Sequence, residues 1–130
     1  MIVDTSALVA IFRSEPTTSA LRARLCAPGP HLMSSATFVE LTAVLRAEKS
    51  VREVDALLAA LDITVVALTV EQARLAAQAY RDYGRGSGSP ARLNLGDTFS
   101  YALAKDTGRP LLCVGDDFPG TDVETVPLER

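Results

Sequence analysis

Five acidic side chains occupy positions for which chemistry is a reasonable explanation. Asp4 follows the apolar run that starts the chain, Glu40 lies among alanines in a predicted helix, and Asp97 falls in the first turn of another predicted helix. Asp116 and Asp117 follow the apolar segment PLLCVG. Several carboxylates without a Cys/His cluster favour a hard cation, magnesium or manganese, over zinc. Such a cation supports hydrolysis of phosphate esters, because it fixes the phosphate, activates a water molecule and stabilises the leaving oxygen.

Each of these residues also has a purely structural explanation. Aspartate is a favoured helix cap, so Asp4 alone is equally well explained as a cap or as a reactive group. Glu40 alone is better explained as a good helix former, and Asp97 as an anion at the positive end of a helix dipole. The adjacent acidic pair after PLLCVG indicates a turn, yet its charges repel unless a cation or donor compensates. We predict that Thr5 or Ser6 caps the first helix, which leaves Asp4 available for a cation.

Apolar runs and helical periodicity alternate along the chain. Short apolar or β-branched runs predict five strands: MIV, HLMS, ITVVAL, PLLCVG and VETV. Amphipathic segments predict six helices: ALVAIFRS, TTSALRARLC, SSATFVELTAVLRAEKS, VREVDALLAALD, the stretch from TVEQ to Tyr83, and NLGDTFSYALAKDTG. Strands separated by helices indicate βαβ units and a parallel sheet covered on both faces. Ligands bind at the carboxyl ends of such strands, so we expect Asp4, Asp116 and Asp117 at one edge.

Composition limits the class of protein. A chain of 130 residues with 48% hydrophobic and 22% charged residues predicts one globular domain. The net charge of −3 argues against a histone-type binder of nucleic acid, although it leaves a nuclease possible, because bound cations reverse the local charge. We recognise neither a signal peptide nor the run of about 20 apolar residues that a membrane span needs. We therefore expect a cytoplasmic protein with no membrane partner.

The cysteines and the histidine do not suggest a second kind of chemistry. Cys26 and Cys113 are far apart and match no zinc or redox spacing, so we predict buried free thiols, with a single disulfide as the open alternative. The only histidine, His31, follows PGP at the start of a predicted strand, and we predict a structural role for it. Covalent catalysis or catalysis by a histidine base is therefore poorly supported.

Four segments together resemble a known family. DTSAL, FVEL, GDTFSYALA and PLLCVGDDF occur in the order and spacing of the PIN-domain ribonucleases, and the sequence looks most like their VapC toxins from bacterial toxin–antitoxin pairs. The resemblance covers essentially the whole chain. It implies an α/β fold, a three-layer α/β/α domain over residues 1–130 with a central, mostly parallel sheet. It also implies a magnesium-dependent endoribonuclease, with manganese as the alternative ion, a VapB-type antitoxin as partner, and a homodimer.

The resemblance also assigns roles to individual residues. Asp4 and Asp97 match the family's metal ligands, and Glu40 matches the third acidic position. Thr5 or Ser6 matches the small hydroxyl residue that orients the ligands.

Two further positions extend this predicted site. The hydroxyl of Ser100 lies one helical turn from Asp97 and would suit a hydrogen bond to a metal-binding carboxylate. Gly115 stands where many family members carry an acidic residue, which leaves the fourth carboxylate open. We favour Asp116 as the group on the metal side, with Asp117 as the alternative.

The segment GRGSGSPAR is the one obvious flexible loop, and it carries Arg85 and Arg92. We hypothesise that both arginines contact the RNA backbone, supplying positive charge that the composition lacks. A solvated loop without this role is an equally good explanation.

Of three alternatives, two are disfavoured and one stays open. A haloacid-dehalogenase-like enzyme would carry a second aspartate two residues after the first, where this chain has Ser6. A receiver domain would end a late strand with lysine, whereas Lys105 lies in a predicted helix. A catalytically weak PIN-like scaffold that acts through protein or RNA binding is the third, and the glycine at position 115 keeps it open.

Overall fold

A central parallel sheet organises the molecule. The computed structural model describes residues 1–128. Four strands, all parallel, lie in the order β3-β2-β1-β4: β1 Ile2–Val3, β2 His31–Ser34, β3 Ile63–Val66 and β4 Leu111–Leu112. The predicted parallel sheet is therefore confirmed. The predicted domain runs to Arg130, and its last two residues lie outside the described part.

Within residues 1–128, six α-helices connect these strands, as the periodicity predicts. They are α1 Thr5–Phe12, α2 Thr18–Cys26, α3 Ser35–Val44, α4 Val51–Ala60, α5 Val70–Tyr83 and α6 Leu95–Thr107. Helix α3 ends earlier than the prediction that continued it to Ser50, because the Leu45 carbonyl accepts from the amides of both Glu48 and Lys49 and closes a turn there. Within residues 1–128, no helix is long and apolar enough to cross a membrane.

Helices cover both faces of the sheet. Val3, Met33 and Leu112 belong to a core cluster that they share with α1 to α4. Their strand neighbours Ile2 and Leu111 belong to a second cluster, shared with α5 and α6. Because successive side chains of a strand point to opposite faces, short two-sided apolar strands produce this three-layer arrangement. The predicted α/β/α architecture is confirmed.

The predicted last strand, VETV, is largely absent. Only an isolated parallel bridge joins Thr125 to Leu111. The Leu111 amide donates to Glu124 O, and the Val126 amide donates to Leu111 O. Pairing stops there, and the next residue, Pro127, has no amide hydrogen to continue it.

The cysteines and the histidine have structural environments. Both thiols are free, so the disulfide alternative is wrong. Cys113 is buried as predicted, whereas Cys26 is exposed at the end of α2. His31 is buried, and its Nε2 donates to the carbonyls of Leu25 and Ala27 at 3.1 and 2.9 Å. These hydrogen bonds from the imidazole ring connect the end of α2 to β2, which is the structural role predicted for His31.

Candidate active site

Asp4 stands at the carboxyl end of β1 and begins α1. Its backbone is extended (φ −87°, ψ 159°), and Oδ2 accepts a hydrogen bond from the Ser6 amide at 3.1 Å. The prediction that Thr5 or Ser6 caps this helix is therefore wrong, because both lie inside the first turn. A carboxylate oxygen has more than one lone pair, so capping does not prevent Asp4 from binding a cation.

Two hydroxyl groups hold the Asp4 carboxylate in place. Ser6 Oγ donates to Oδ2 at 2.8 Å, and Ser100 Oγ, from α6, donates to Oδ1 at 2.5 Å. Ser6 Oγ in turn accepts from the Val114 amide at 2.9 Å, and Thr37 Oγ1 lies 3.3 Å from Ser100 Oγ. Asp4 is only 2% exposed. Its position is thus set from α1, α6 and the segment that follows β4.

Glu40 projects from α3 toward two other elements. Thr5 Oγ1 donates to Glu40 Oε1 at 2.5 Å, and the carboxylate lies against Gly96 of α6. Burial, reinforced by the nearby Asp4 carboxylate, raises the pKa of Glu40 in spite of the hydrogen bond from Thr5. The alanines that flank Glu40 on its own helix indicated that it does not lie on a solvated face, but they did not indicate these partners.

Asp97 forms a reciprocal cap at the start of α6. Its Oδ2 accepts from the Asn94 amide at 3.0 Å, and its own amide donates to Asn94 Oδ1 at 2.9 Å. Burial is the main cause that raises the pKa of Asp97 to about 7, and the carboxylates of Asp4, Asp117 and Glu40 add to it. Asp97 therefore caps the start of α6, as its structural explanation predicts, and it also lies among other carboxylates.

A cleft of about 350 Å³ brings these carboxylates together. Its lining is mainly polar and acidic: Asp4, Thr5, Ser6, Val9, Glu15, Glu40, Val44, Asn94, Asp97, Val114 and Asp117. The expectation that Asp4 and the acidic turn after β4 meet at one edge is therefore met by Asp117.

Asp116, which the sequence favours as the fourth acidic group, lies outside this cleft, whereas Asp117 lines it. It lines a different depression, together with Thr17 and Thr125. Gly115 has φ +105°, a conformation that side chains rarely adopt, and it redirects the chain after β4. Phe118 is buried, so that the chain is anchored immediately after Asp117.

Four residues near the carboxylates were missed by sequence reasoning. Glu15 and Asn94 line the cleft, Thr37 contacts Ser100, and Gly96 contacts Glu40. Asn94 carried a usable signal, since an asparagine three residues before an acidic residue is a capping pattern. The other three carried none, because their roles depend on residues distant in the chain.

The predicted RNA contacts, Arg85 and Arg92, do not line the cleft. Both are exposed, and they border a separate surface cavity of about 400 Å³ with Gly86 and Gly88. The loop is closed at its base by paired hydrogen bonds between Leu93 and the chain at Tyr83 and Arg85, at 2.9 and 3.0 Å.

Comparison with known proteins decides the family. The sequence model described as "PIN domain" matches residues 1–124. The chain is 56% identical over 127 residues to Ribonuclease VapC42 of Mycobacterium tuberculosis, covering 95% of this chain and 96% of the relative. This chain belongs to the PIN-domain family and, within it, to the VapC ribonucleases.

Other relatives agree with this assignment. Ribonuclease VapC30 of Mycobacterium tuberculosis is 44% identical over 131 residues, covering 98% of this chain and 99% of the relative. The crystal structure of Mycobacterium tuberculosis VapC20, a sarcin-ricin loop cleaving toxin, matches with a TM-score of 0.72 at 21% identity, covering 96% and 97% of the two chains. A toxin–antitoxin complex from Klebsiella pneumoniae matches with a TM-score of 0.71 at 18% identity, covering 99% and 98%. These two structures support the fold.

Dependence on a divalent metal is general for PIN-domain nucleases, and the donor groups of this cleft fit such an ion. Its acidic side chains offer only oxygen, which suits hard cations. None of the described residues that line the cleft is basic. The repulsion between the carboxylates is therefore not compensated by a positively charged side chain in the cleft. Within residues 1–128, no three His, Cys, Asp or Glu groups form a ready-made metal cage. The cleft therefore suits a divalent cation because its acidic side chains are oxygen donors and carry the same negative charge. The coordination geometry is not part of this argument.

Proposed function

We infer that this VapC-family ribonuclease cuts RNA internally, with Mg²⁺ held by Asp4 and Asp97 and assisted by Glu40 and Asp117. One observation carries the inference: five carboxylates from five segments of the chain line one cleft that no described basic side chain neutralises. Mn²⁺ is the alternative ion, because it accepts the same oxygen donors.

The chain's own residues prepare the carboxylates for this role. Ser6 and Ser100 orient Asp4, Thr5 orients Glu40, and Asn94 orients Asp97. Groups held in this way need little reorganisation when charge develops on a phosphate. Bound Mg²⁺ supplies positive charge for the phosphodiester and favours deprotonation of the attacking water.

Asp97 and Glu40 each keep one carboxylate oxygen without a hydrogen bond, which leaves acceptor capacity for the ion. Asp97 uses Oδ2 for the Asn94 amide, which leaves Oδ1 available. Glu40 receives its hydrogen bond on Oε1, which leaves Oε2 beside Gly96. The protein scaffold therefore restrains the two side chains without saturating them.

Arg85 and Arg92 contact the RNA backbone in this proposal. Both are exposed and border one cavity, where two guanidinium groups suit phosphate oxygens. Because they lie outside the cleft, their part is to hold the RNA and not to take part in bond cleavage.

The proposal also covers the partners and the location. We propose that a VapB-type antitoxin neutralises the enzyme, that the chain forms a homodimer, and that it acts in the cytoplasm. Support for an antitoxin comes from the relatives named VapC and from the Klebsiella pneumoniae neighbour, which was solved in a toxin–antitoxin complex.

A catalytically weak scaffold is the second candidate. Gly115 stands where the family resemblance leads us to expect an acidic residue, and Asp116 lines another depression. These observations leave Asp117 as the only acidic residue of the VGDD segment that lines the cleft.

RNA cleavage by the purified protein separates the two candidates. We expect Mg²⁺-dependent cleavage that EDTA abolishes, loss of cleavage in D4N, and wild-type cleavage in D116N, because Asp116 lies outside the cleft. If D4N cuts as fast as wild type, the assignment is wrong. If wild-type protein binds RNA but does not cut it with either ion, the scaffold is favoured.

A further inference from the structure

Gly96, the second residue of α6, lies directly against the Glu40 carboxylate. A Cβ at residue 96 would overlap Glu40 Oε2 and Cδ and would lie 2.9 Å from Oε1. The chain has eight glycines, all within the described residues, and Gly96 is the one whose missing side chain is replaced by a carboxylate. The contact is therefore specific to this position.

The backbone does not explain a glycine here. Gly96 lies inside a helix and is not among the residues with positive φ. Alanine is normally preferred over glycine in helical backbone. We therefore attribute the glycine to the space beside its Cα, which the Glu40 carboxylate occupies.

We propose that Gly96 is a positioning residue for Glu40: the absence of a side chain at residue 96 creates the seat in which the Glu40 carboxylate lies. This inference rests on the proposed function, because the use of the seat is to present Glu40 to the ion that Asp97 also binds. The next residue after Gly96 is Asp97, so one turn of α6 both carries one carboxylate and seats another.

Two contacts from opposite elements define the seat. Thr5 Oγ1, from α1, donates to Oε1 at 2.5 Å, while Gly96, from α6, backs the Oε2 side. Glu40 itself comes from α3. The relative placement of three helices thus determines where this carboxylate lies.

A methyl group at residue 96 would displace the side chain of Glu40 and leave α6 in place. The overlapping atoms are the far end of Glu40, which rotates about several bonds, whereas the first turn of α6 is held by the reciprocal cap of Asn94 and Asp97. G96A should therefore lose the seat and keep the fold.

Mn²⁺ binding tests the proposal through a double-mutant cycle. Isothermal titration calorimetry with Mn²⁺ on wild type, G96A, E40A and G96A/E40A should show about tenfold weaker binding in G96A. In the E40A background, the same change should alter the Kd by less than about twofold, because the displaced group is gone. Wild-type affinity in G96A, or an equal loss in both backgrounds, would overturn the proposal.

A readout without metal keeps the proposal separate from the proposed function. In EDTA, we expect the ¹³C resonance of the Glu40 carboxyl, assigned by its loss in E40A, to shift in G96A. It should stay unchanged in L95A, a control in the same turn whose side chain is 64% exposed. The thermal midpoint of G96A should equal or exceed that of wild type.

These results distinguish the two failures. An unchanged Glu40 resonance in G96A overturns the role of Gly96, whatever the enzyme does. If wild type neither binds Mn²⁺ nor cuts RNA, the proposed function fails, while a shifted resonance still supports the seat.

Discussion

The acidic cleft and the glycine-rich loop carry opposite charges and are built in opposite ways. Asp4 and Asp97 are only 2% and 8% exposed, and hydrogen bonds from other elements hold them. Arg85 and Arg92 are exposed and, among residues 1–128, form no ion pair. The cleft concentrates like charges at an energetic cost, whereas the loop places its charges in water at little cost.

This difference assigns different work to the two regions. Buried, oriented carboxylates interact strongly with an ion, because the surrounding dielectric is low. Exposed guanidinium groups act on a phosphate backbone mainly through screened, salt-dependent attraction. Substitutions in the cleft should therefore change catalysis steeply, while those in the loop should change RNA affinity mildly.

The largest effect should follow removal of a cleft carboxylate. D97N keeps the size of the side chain but removes a charge that binds the ion in the proposed site, so we expect RNA cleavage to fall at least about 100-fold. Initial rates at saturating Mg²⁺ measure this. D116N should cleave like wild type, and a D97N enzyme within threefold of wild type would contradict the role of the cleft.

Loss of a supporting hydroxyl should have the next largest effect. S100A removes the hydrogen bond to Asp4 Oδ1 but no carboxylate, so we expect about 10- to 100-fold weaker Mn²⁺ binding or slower cleavage. Calorimetry and cleavage rates provide the measurement. S19A, which changes an exposed serine of α2, serves as the control, and equal behaviour of the two variants would refute the orienting role.

The environment of Asp97 in the cleft should also affect how the free energy of unfolding depends on pH. Burial and like charge raise the pKa of Asp97 from 3.8 to about 7, so the folded protein binds a proton that the unfolded chain releases. In EDTA, the free energy of unfolding should therefore fall as the pH rises from about 4 to about 7.

Urea titrations of wild type and D97N across this range test the sign. D97N lacks the proton uptake, so its stability relative to wild type should increase with pH. D116N should follow wild type. A constant difference between D97N and wild type would exclude the proposed environment of Asp97.

The smallest effect should come from the loop. R85A/R92A should bind RNA a few-fold more weakly, with the slope of log affinity against log salt reduced by up to about 2, because at most two phosphate contacts are lost. The cleavage rate at saturating RNA should stay near that of wild type. Unchanged affinity and salt slope, equal to those of the exposed control pair R22A/R74A, would dismiss the loop as an RNA contact.

Local sequence signals predicted most of the framework. The strand ending before Asp4, the helix start at Asp97 and its end at Gly108 are marked by apolar runs, caps and a glycine within a few residues. The prediction of the first helix cap failed because several neighbouring residues could each serve as the cap. Asp4, Thr5 and Ser6 are all acceptable caps, and only the extended backbone of Asp4 decides among them.

The choice between Asp116 and Asp117 could not be made from the sequence for a related reason. Adjacent residues after a strand point in different directions, and which one enters the cleft depends on the turn that Gly115 makes. The partners of Glu40 were equally inaccessible, since Thr5 lies 35 residues away in the chain and Gly96 is 56 positions beyond Glu40.

The sequence by itself determined which residue types end the strands and begin the helices, because burial, capping and backbone preference act over a few residues. It therefore determined the parallel α/β framework and its acidic inventory. Only the tertiary structure decided which acids share the cleft and which hydroxyls hold them. Those contacts join α1, α3, α6 and the turn after β4, and they exist only once the sheet has brought the carboxyl ends of its strands together.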